Sequence, residues 1–295
     1  MQKETYTLKI ADIIFVITSY PDEYTKSTFE KYMIPNGDYP DAVTVNCSLT
    51  EEAIPEPEGK LLTERDTANW YMHENGSYTI TFSDPEEDVL CARLCYNDNA
   101  SHAELLLLDA NKLYGTDTEF FLSNVLQYMY RLALVFKDGF TIHASSIIND
   151  GYGIAFSAQS GTGKSTHTAL WQKVYPDTVL LNDDGPSVRK KDGVWYIYGT
   201  PWAGTTGINI NTCAPLKALV FLERSEVNTI RTLSALEGIR RIFEAIIHPV
   251  SDELMSIVLS SVSSFITEST MCVLGCNMTD DAPKTVKQYL YKQGE

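Results

Sequence analysis

A short glycine-rich segment, residues 158–165, carries the residue types best suited to chemistry. It reads Ala-Gln-Ser-Gly-Thr-Gly-Lys-Ser, which departs from the phosphate-binding pattern G-x-x-x-x-G-K-[ST] only at its first position. The glycines let backbone N–H groups turn towards phosphate oxygens, while the lysine and serine suit the β- and γ-phosphates and Mg²⁺. The segment therefore predicts a nucleoside triphosphate site, with ATP and Mg²⁺ as the expected cofactors. The residues expected to contact the nucleotide are Ala158, Gln159, Ser160, Gly161, Thr162, Gly163, Lys164, Ser165 and Thr166.

Two adjacent carboxylates follow a short apolar strand. Asp183 and Asp184 come just after the strand predicted at 178–181, and ligands of α/β sheets bind near such carboxyl ends. Because neighbouring side chains point to different sides, one carboxylate can hold Mg²⁺ while the other accepts a proton from an attacking hydroxyl. A plain Asp-Asp-Gly-Pro turn without chemistry is the alternative interpretation.

One histidine precedes the glycine-rich segment. His143 falls on the strand predicted at 140–148, in the run Thr-Ile-His-Ala-Ser. A single histidine on a strand is more often structural than catalytic, so the residues alone leave both roles open for this side chain.

The elements around these residues alternate between strand and helix, which indicates an α/β domain with a mixed sheet. Apolar residues recur at the spacing of a helix over 118–136, and Lys-Asp-Gly ends that helix. The other predicted helices span 164–174, 233–245, 252–265 and 282–292. The predicted strands span 140–148, 153–157, 178–181, 194–198, 216–223 and 271–276.

The first hundred residues predict mainly strands and turns. Residues 6–19 are rich in β-branched residues and predict extended structure closed by Pro21. An Asn-Gly pair at 75–76 predicts the turn of a hairpin, because its residues adopt the positive φ angles that such turns need. We therefore predict a smaller β-rich, α+β domain at 1–115, followed by the nucleotide-binding domain at 116–295.

The net charge of −16 is unevenly distributed along the chain. Residues 1–150 contain 25 acidic and 10 basic side chains, whereas residues 151–295 contain 14 and 13. A field this negative repels nucleic acids and anionic membranes, so neither is expected as a partner. No run approaches the roughly 20 apolar residues that span a bilayer, and the first residues show no secretory signal. The expected compartment is the cytoplasm.

The run IHASSIINDGYGIAFSAQSGTGKST, followed by LLNDDGPSV, resembles the C-terminal catalytic domain of HPr kinase/phosphorylase. That family has a nucleotide-binding core similar to phosphoenolpyruvate carboxykinase. The resemblance covers about residues 139–292, and it implies a P-loop kinase fold for that half of the chain. It also leaves a homo-oligomer open, since relatives with this core often assemble.

The resemblance implies a role for each matching position. Lys164 and Ser165 would bind phosphate and Mg²⁺, Asp184 would accept the proton, and Asp183 would lie beside the metal. His143 would match the active-site histidine of the family. The predicted catalytic residues are thus Asp184, His143 and Lys164, and the predicted metal ligands are Ser165 and Asp183.

Two family features have no clear match in this sequence. The metal-binding glutamate expected after the aspartate pair is missing, since only Asp192 is acidic between Asp184 and Leu216. The arginine segment associated with phosphorolysis is not recognisable either. The arginines that could contact phosphate, without one being singled out by spacing, are Arg224, Arg231, Arg240 and Arg241.

Three functions follow as hypotheses. The first is an ATP-dependent kinase that transfers the γ-phosphoryl group to a hydroxyl, with a serine of a protein or peptide as the expected acceptor and a small-molecule hydroxyl as the other option. The second is a nucleotide-binding regulatory or accessory protein without efficient transfer. The third is a carboxykinase-like enzyme acting on a small carboxylic acid, which would need a basic cluster.

Overall fold

The computed structural model describes residues 2–20, 23–65, 68–84, 89–109, 118–159, 161–204, 206–246 and 252–292. Contacts divide the chain into two compact units, Met1–Phe136 with Pro249–Met255 and Lys137–His248 with Ser256–Glu295. The domain boundary predicted after residue 115 stays a prediction. No helix among the described residues is both long enough and apolar enough to cross a membrane.

The first unit is built on one mixed sheet, which has nine strands in the described ranges. They are β1 Glu4–Ile10, β2 Ile13–Ser19, β3 Met33–Ile34, β4 Val43–Thr50, β5 Lys60–Arg65, β6 Ala68–Met72, β7 Tyr78–Asp84, β8 Val89–Tyr96 and β9 His102–Leu108. Their order is β3-β1-β2-β4-β9-β8-β7-β6-β5. The pairs β2–β4 and β4–β9 are parallel, and the other pairs are antiparallel.

Within the described residues, two helices accompany this sheet, α1 Glu23–Phe29 and α2 Thr118–Val135, and a 3₁₀ turn at Glu30–Tyr32 follows α1. Aromatic rings attach α2 to the sheet. Tyr128 lies with its ring centroid 5.1 Å from that of Phe82, and Tyr130 lies 5.9 Å from Phe15. The helix predicted from the apolar spacing of 118–136 is thus confirmed, and its apolar side is buried against the sheet.

The run 6–19 contains a turn that its composition does not signal. β1 and β2 form an antiparallel hairpin, and Ala11 and Asp12 between them have φ angles of 50° and 60°. Such angles are usual for Gly and Asn, less so for Asp, and uncommon for Ala. No Asn-Gly or Gly-Gly pair marks the position. The turn that divides this extended run therefore has no recognisable sequence signal.

The second unit is a mixed α/β structure. Its strands are β10 Gly139–Thr141, β11 Ala144–Asn149, β12 Tyr152–Ser157, β13 Val179–Asn182, β14 Ser187–Lys191, β15 Val194–Tyr198, β16 Cys213–Arg224, β17 Thr229–Thr232 and β18 Met271–Cys276. Their order is β10-β14-β15-β16-β12-β11-β13, with β18 beside β16 and β17 beside β18. The helices of its described residues are α3 Lys164–Val174, α4 Ala235–Ala245, α5 Asp252–Glu268, which belongs to this unit from Ser256 onwards, and α6 Asp281–Lys292.

One face of this sheet packs against α3 and α6. Trp171 of α3 and Val286 of α6 are fully buried in a cluster that also contains Phe156 of β12 and Val220 of β16. Because β12 and β16 run parallel, their carboxyl ends lie at the same edge of the sheet. The glycine-rich segment begins at this edge, directly after β12.

The strand predicted at 140–148 is broken in two. β10 pairs with β14, whereas β11 pairs with β12 and β13. Residues Ile142 and His143 lie between the two strands, where the chain passes from pairing with β14 to pairing with β12 and β13. Strand β14 was not predicted, because Ser-Val-Arg-Lys-Lys lacks a clear apolar alternation. It forms in the sheet by pairing with β10 on one side and β15 on the other.

Candidate active site

The glycine-rich segment forms the connection between β12 and α3, with the strand and the helix where the sequence predicts them. Gly161 and Gly163 have φ angles of 74° and 110°, which favour glycine over residues with a side chain. The Thr162 N–H donates to the carbonyl of Gln159 at 3.1 Å and closes a turn inside the loop. Ser160 lies outside the described residues, and phosphate binding by the loop stays a prediction.

Helix α3 begins directly at the loop, with Gly163 as its N-cap and Lys164 as its first residue. The amide groups of its first turn lack intrahelical partners, and the helix dipole places partial positive charge at this end. Ser165 and Thr166 are exposed there. The loop and the helix end together form an arrangement that favours anions.

A chain of three polar side chains lies beside the loop. The Lys164 ammonium Nζ lies 2.8 Å from Nε2 of His143 and also donates to the carbonyl of Ala158 at 3.2 Å. On the other side of the imidazole, Nδ1 of His143 lies 3.3 Å from the Asp184 carboxylate. The three residues predicted to be catalytic are therefore adjacent in the structure, and their catalytic roles stay predictions.

The contacts determine where the proton of the imidazole lies. An ammonium group can only donate, so Nε2 of His143 must be the accepting nitrogen. The proton then resides on Nδ1 and faces the Asp184 carboxylate. Burial, and next the Lys164 charge, lower the pKa of His143, while Asp184 opposes them. Burial also lowers the pKa of Lys164, again against the effect of Asp184. His143 is therefore neutral at pH 7.

This arrangement predicts opposite pKa changes in two variants. Lys164→Ala removes a positive charge and is expected to raise the pKa of His143, whereas Asp184→Asn removes a negative charge and is expected to lower it further. Titration of the His143 ring protons by NMR in the wild type and the two variants measures both shifts. A shift of the same sign in both variants would contradict the described contacts.

The backbone holds His143 in place from two sides. Its N–H donates to the carbonyl of Ala245 at 2.9 Å, and its carbonyl accepts the Ser157 hydroxyl at 2.9 Å. These bonds join the break between β10 and β11 to the end of β12 and to the end of α4. The imidazole is half exposed while its backbone is fixed, which suits a side chain that orients other groups.

Asn182 positions the aspartate pair, although it is not among the residues predicted from the sequence. Its Oδ1 accepts the N–H groups of Asp184 and Gly185 at 3.0 and 2.8 Å, and its Nδ2 donates to the carbonyl of Thr200 at 3.0 Å. Asn182 is fully buried. The signal that could have revealed it is the Asn-x-Asp-Gly order, because asparagine commonly bonds the backbone two residues later.

The two aspartates face different surroundings. Asp184 is half exposed beside His143, whereas Asp183 is buried. The Asp183 carboxylate accepts the Gly204 N–H at 2.6 Å, the Thr206 N–H at 3.2 Å and the Thr206 hydroxyl. Asp183 thereby anchors the segment after β15.

These contacts bear on the predicted Mg²⁺ ligands. In the described ranges, no group of three His, Cys, Asp or Glu side chains could hold a metal by itself. Ser165 is exposed at the first turn of α3 and fits a ligand that acts together with nucleotide phosphates. Both oxygens of Asp183 already accept hydrogen bonds, so metal binding by Asp183 stays a prediction that requires these bonds to be shared.

The candidate arginines are separated by the fold. Arg224, at the end of β16, donates to the Gly161 carbonyl at 2.9 Å and so contacts the loop directly. Arg240 and Arg241 of α4 line a cavity beside the loop. Arg231 pairs with Glu237 at 2.8 Å and does not line that cavity. The positions of these four side chains in the tertiary structure distinguish them, whereas their spacing in the sequence does not.

A buried histidine packs between α3 and β12, the two elements that flank the loop. His167 of α3 is fully buried and its Nε2 accepts the indole N–H of Trp171 at 3.2 Å, while its ring contacts Phe156 with centroids 4.5 Å apart. Its Nδ1 has no hydrogen-bond partner among the described residues. Burial lowers the pKa of His167 to about 4, so the ring is neutral in the folded protein.

This histidine predicts a loss of stability in acid. The unfolded chain binds the proton near the ordinary pKa of 6.5, whereas the folded chain binds it only near 4. The free energy of unfolding therefore falls as pH is lowered through this window, by about 3 kcal/mol for a shift of this size. In His167→Gln the dependence on pH should be flatter. Urea unfolding between pH 4 and 7 measures this dependence, and a His167→Gln protein that keeps the wild-type slope would contradict the prediction.

Comparisons with known proteins give little further information. Neither a scan against protein-family models nor a search of curated proteins finds a match. Among solved structures, the chain is similar to the Hpr(Ser) kinase/phosphatase from Coxiella burnetii, at 17% sequence identity and a TM-score of 0.26. That match covers 43% of this chain and 97% of the other chain.

Proposed function

We propose that this protein is an ATP-dependent kinase that transfers the γ-phosphoryl group to a hydroxyl. The observation that carries the proposal is the chain of hydrogen-bonded groups from Lys164 through His143 to Asp184, beside a glycine-rich loop at a helix N-terminus. An ammonium group that pairs with phosphate and a carboxylate that accepts a proton are groups that such a transfer uses, and here a neutral imidazole contacts both.

The loop and α3 would bind the nucleotide. Backbone N–H groups of 158–163 and the first turn of α3 would cradle the phosphates. Lys164 would leave its contacts with His143 and Ala158 and pair with the β- and γ-phosphates, since a phosphate attracts an ammonium group more strongly than a neutral partner does. Ser165 would hold Mg²⁺, which would neutralise phosphate charge when bound.

Asp184 would act as the proton acceptor. It is the exposed member of the aspartate pair, and the Asn182 side chain orients its backbone. The hydroxyl oxygen of the acceptor would form a bond to the γ-phosphorus while the bond from that phosphorus to the β–γ bridging oxygen breaks. The hydroxyl proton would pass to Asp184, and His143, through Nδ1–H, would hold that carboxylate in position.

The resemblance to HPr kinase/phosphorylase favours a serine of a protein or peptide as the acceptor, and a small-molecule hydroxyl is the alternative. One observation favours a second function, a nucleotide-binding regulatory protein without efficient transfer. Asp183 is buried and bound to Gly204 and Thr206, so the site presents a single accessible aspartate to a metal–nucleotide complex.

Calorimetric titration with MgATP, followed by incubation with γ-labelled ATP and cell extract, tests the proposal. Binding that is lost in Lys164→Ala, together with label in an acid-stable and alkali-labile product, is the result expected of a hydroxyl kinase. Binding without transfer would favour the regulatory function instead. Absence of binding in the wild type would refute both.

A further inference from the structure

A cavity of about 580 Å³ adjoins the loop on the side of His143. The carboxyl ends of β12 and β16 and the second half of α4 form its walls, and Gln159 and Thr162 border it from the loop. Its volume lies within the range of roughly 300–1,000 Å³ that is usual for small-molecule sites. A molecule in this cavity would contact the loop and His143, both of which line it.

The wall of the cavity is rich in arginine. Arg224, Arg240 and Arg241 line it, together with Glu223 and Glu244. The excess of one positive charge, with His143 neutral, contrasts with the net charge of −16 for the whole chain. The negative charge of the chain as a whole repels anions. The local excess of arginine, by contrast, makes this cavity attractive to an anion.

Arg241 has a structural role in this wall. Its guanidinium forms ion pairs with Glu223 and with Glu237, and it lies 5.4 Å from the ring centroid of Phe221. Only 16% of its side chain is exposed. These contacts engage Nε and Nη2 of Arg241 within the protein, and the pair with Glu223 links α4 to β16.

Arg240 differs from Arg241 in both partner and exposure. Its contact is with Glu244 one turn later on α4, at 2.9 Å, and the two side chains are 63% and 57% exposed. Exposed pairs of this spacing are weak, because water solvates both charges. A ligand carboxylate or phosphate can therefore replace Glu244 as the partner of Arg240, and bidentate pairing would favour the exchange.

We propose, on the basis of the kinase function proposed above, that this cavity is the acceptor subsite and that it takes a small hydroxylated anion. The anionic group pairs with Arg240, and the hydroxyl of the same molecule reaches the γ-phosphorus beside His143 and Asp184. The transfer then yields the phosphate ester of the acceptor and ADP, and the proton of the hydroxyl goes to Asp184. A hydroxy acid and a phosphorylated polyol share this chemistry.

Two variants of α4 test the subsite in opposite directions. Arg240→Gln removes the cation, and we expect the KM for the anionic acceptor to rise about tenfold, the loss of one charge-assisted contact. Glu244→Gln removes the competing carboxylate, and the same KM should fall. The affinity for ATP, measured by calorimetry, should stay within about twofold in both variants, and Lys173→Gln, an exposed cation at the far end of α3, is the control.

The acceptors to compare are glycerate and malate as hydroxy acids, glycerol 3-phosphate and fructose 6-phosphate as phosphorylated polyols, and glycerol and fructose as neutral counterparts. ADP release, with ³¹P NMR of the product, identifies which anion is used. We expect one anionic class to stimulate ADP release and the neutral compounds to be inactive. Equal use of neutral compounds, or preference for a serine peptide, would overturn the proposal, as would a weakened ATP affinity in Arg240→Gln.

Calorimetric titration of the same anions in the presence of ADP distinguishes the subsite from the kinase function. Anion binding that is lost in Arg240→Gln, without phosphoryl transfer to any compound, would support the subsite and overturn the kinase. Phosphoryl transfer that is insensitive to Arg240→Gln and Glu244→Gln would support the kinase and overturn the subsite.

Discussion

Asp184→Asn is expected to lower the rate of phosphoryl transfer by about 100- to 10,000-fold, the range attributed to a general base, while ATP binding changes little. Asparagine has the same shape and its oxygen can still accept the Nδ1–H of His143, which lies 3.3 Å from the carboxylate in the wild type. It cannot accept the proton of the attacking hydroxyl. The loss should therefore fall on kcat, whereas the Kd for MgATP should stay close to that of the wild type.

Single-turnover transfer and calorimetry measure the two quantities separately. Asp192→Asn is a matched control, because Asp192 is exposed in a turn with a φ of 50°, which asparagine adopts readily. That variant should retain full activity. An Asp184→Asn protein that transfers phosphoryl groups at the wild-type rate would eliminate Asp184 as the base and leave only a structural role for the aspartate pair.

Lys164→Ala is expected to have the second large effect, a loss of about 100- to 1,000-fold in kcat/KM for ATP, comparable to the loss of one preorganised charge-stabilising donor. The ammonium group lies at the junction of the loop and α3, within 3.2 Å of the Ala158 carbonyl. Without it, nothing else in the described part of the loop carries a positive side chain towards the β- and γ-phosphates. Nucleotide affinity and rate should both fall.

Lys173→Ala is the control for this substitution. Lys173 lies in the last turn of α3 and pairs with Asp280 at 2.7 Å on the surface, so its loss should leave both ATP affinity and rate unchanged. Thermal unfolding of the two variants shows whether each folds normally. ATP binding by Lys164→Ala with the affinity of the wild type would mean that the nucleotide binds elsewhere or that the loop alone suffices.

Local patterns were sufficient for several elements of the second unit. The helix predicted at 233–245 is observed as α4 Ala235–Ala245, with the Ser234 side chain accepting the Glu237 N–H as an N-cap. Strand β18 was predicted with its observed bounds of Met271–Cys276. These elements follow from caps and apolar spacing, which involve residues only a few positions apart.

Local patterns failed where the neighbouring strands decide the outcome. Residues 140–148 have the composition of one strand, but β10 and β11 pair with different neighbours and the chain breaks at His143. Strand β14 forms although its sequence is largely charged, because β10 and β15 supply hydrogen bonds on both sides. Strand pairing at long sequence separation is not encoded in the composition of one segment.

The sequence by itself determined which chemistry the second unit could carry, because a glycine-rich loop between strand and helix, its lysine and the aspartate pair are recognisable within short segments. Only the tertiary structure decided how these groups meet. It brings His143 to Lys164 across 21 residues, and it exposes Asp184 while binding Asp183 to Gly204. Residue types and turns depend on neighbours in the chain, whereas contacts between side chains depend on the order of strands in the sheet and on the packing of helices against it.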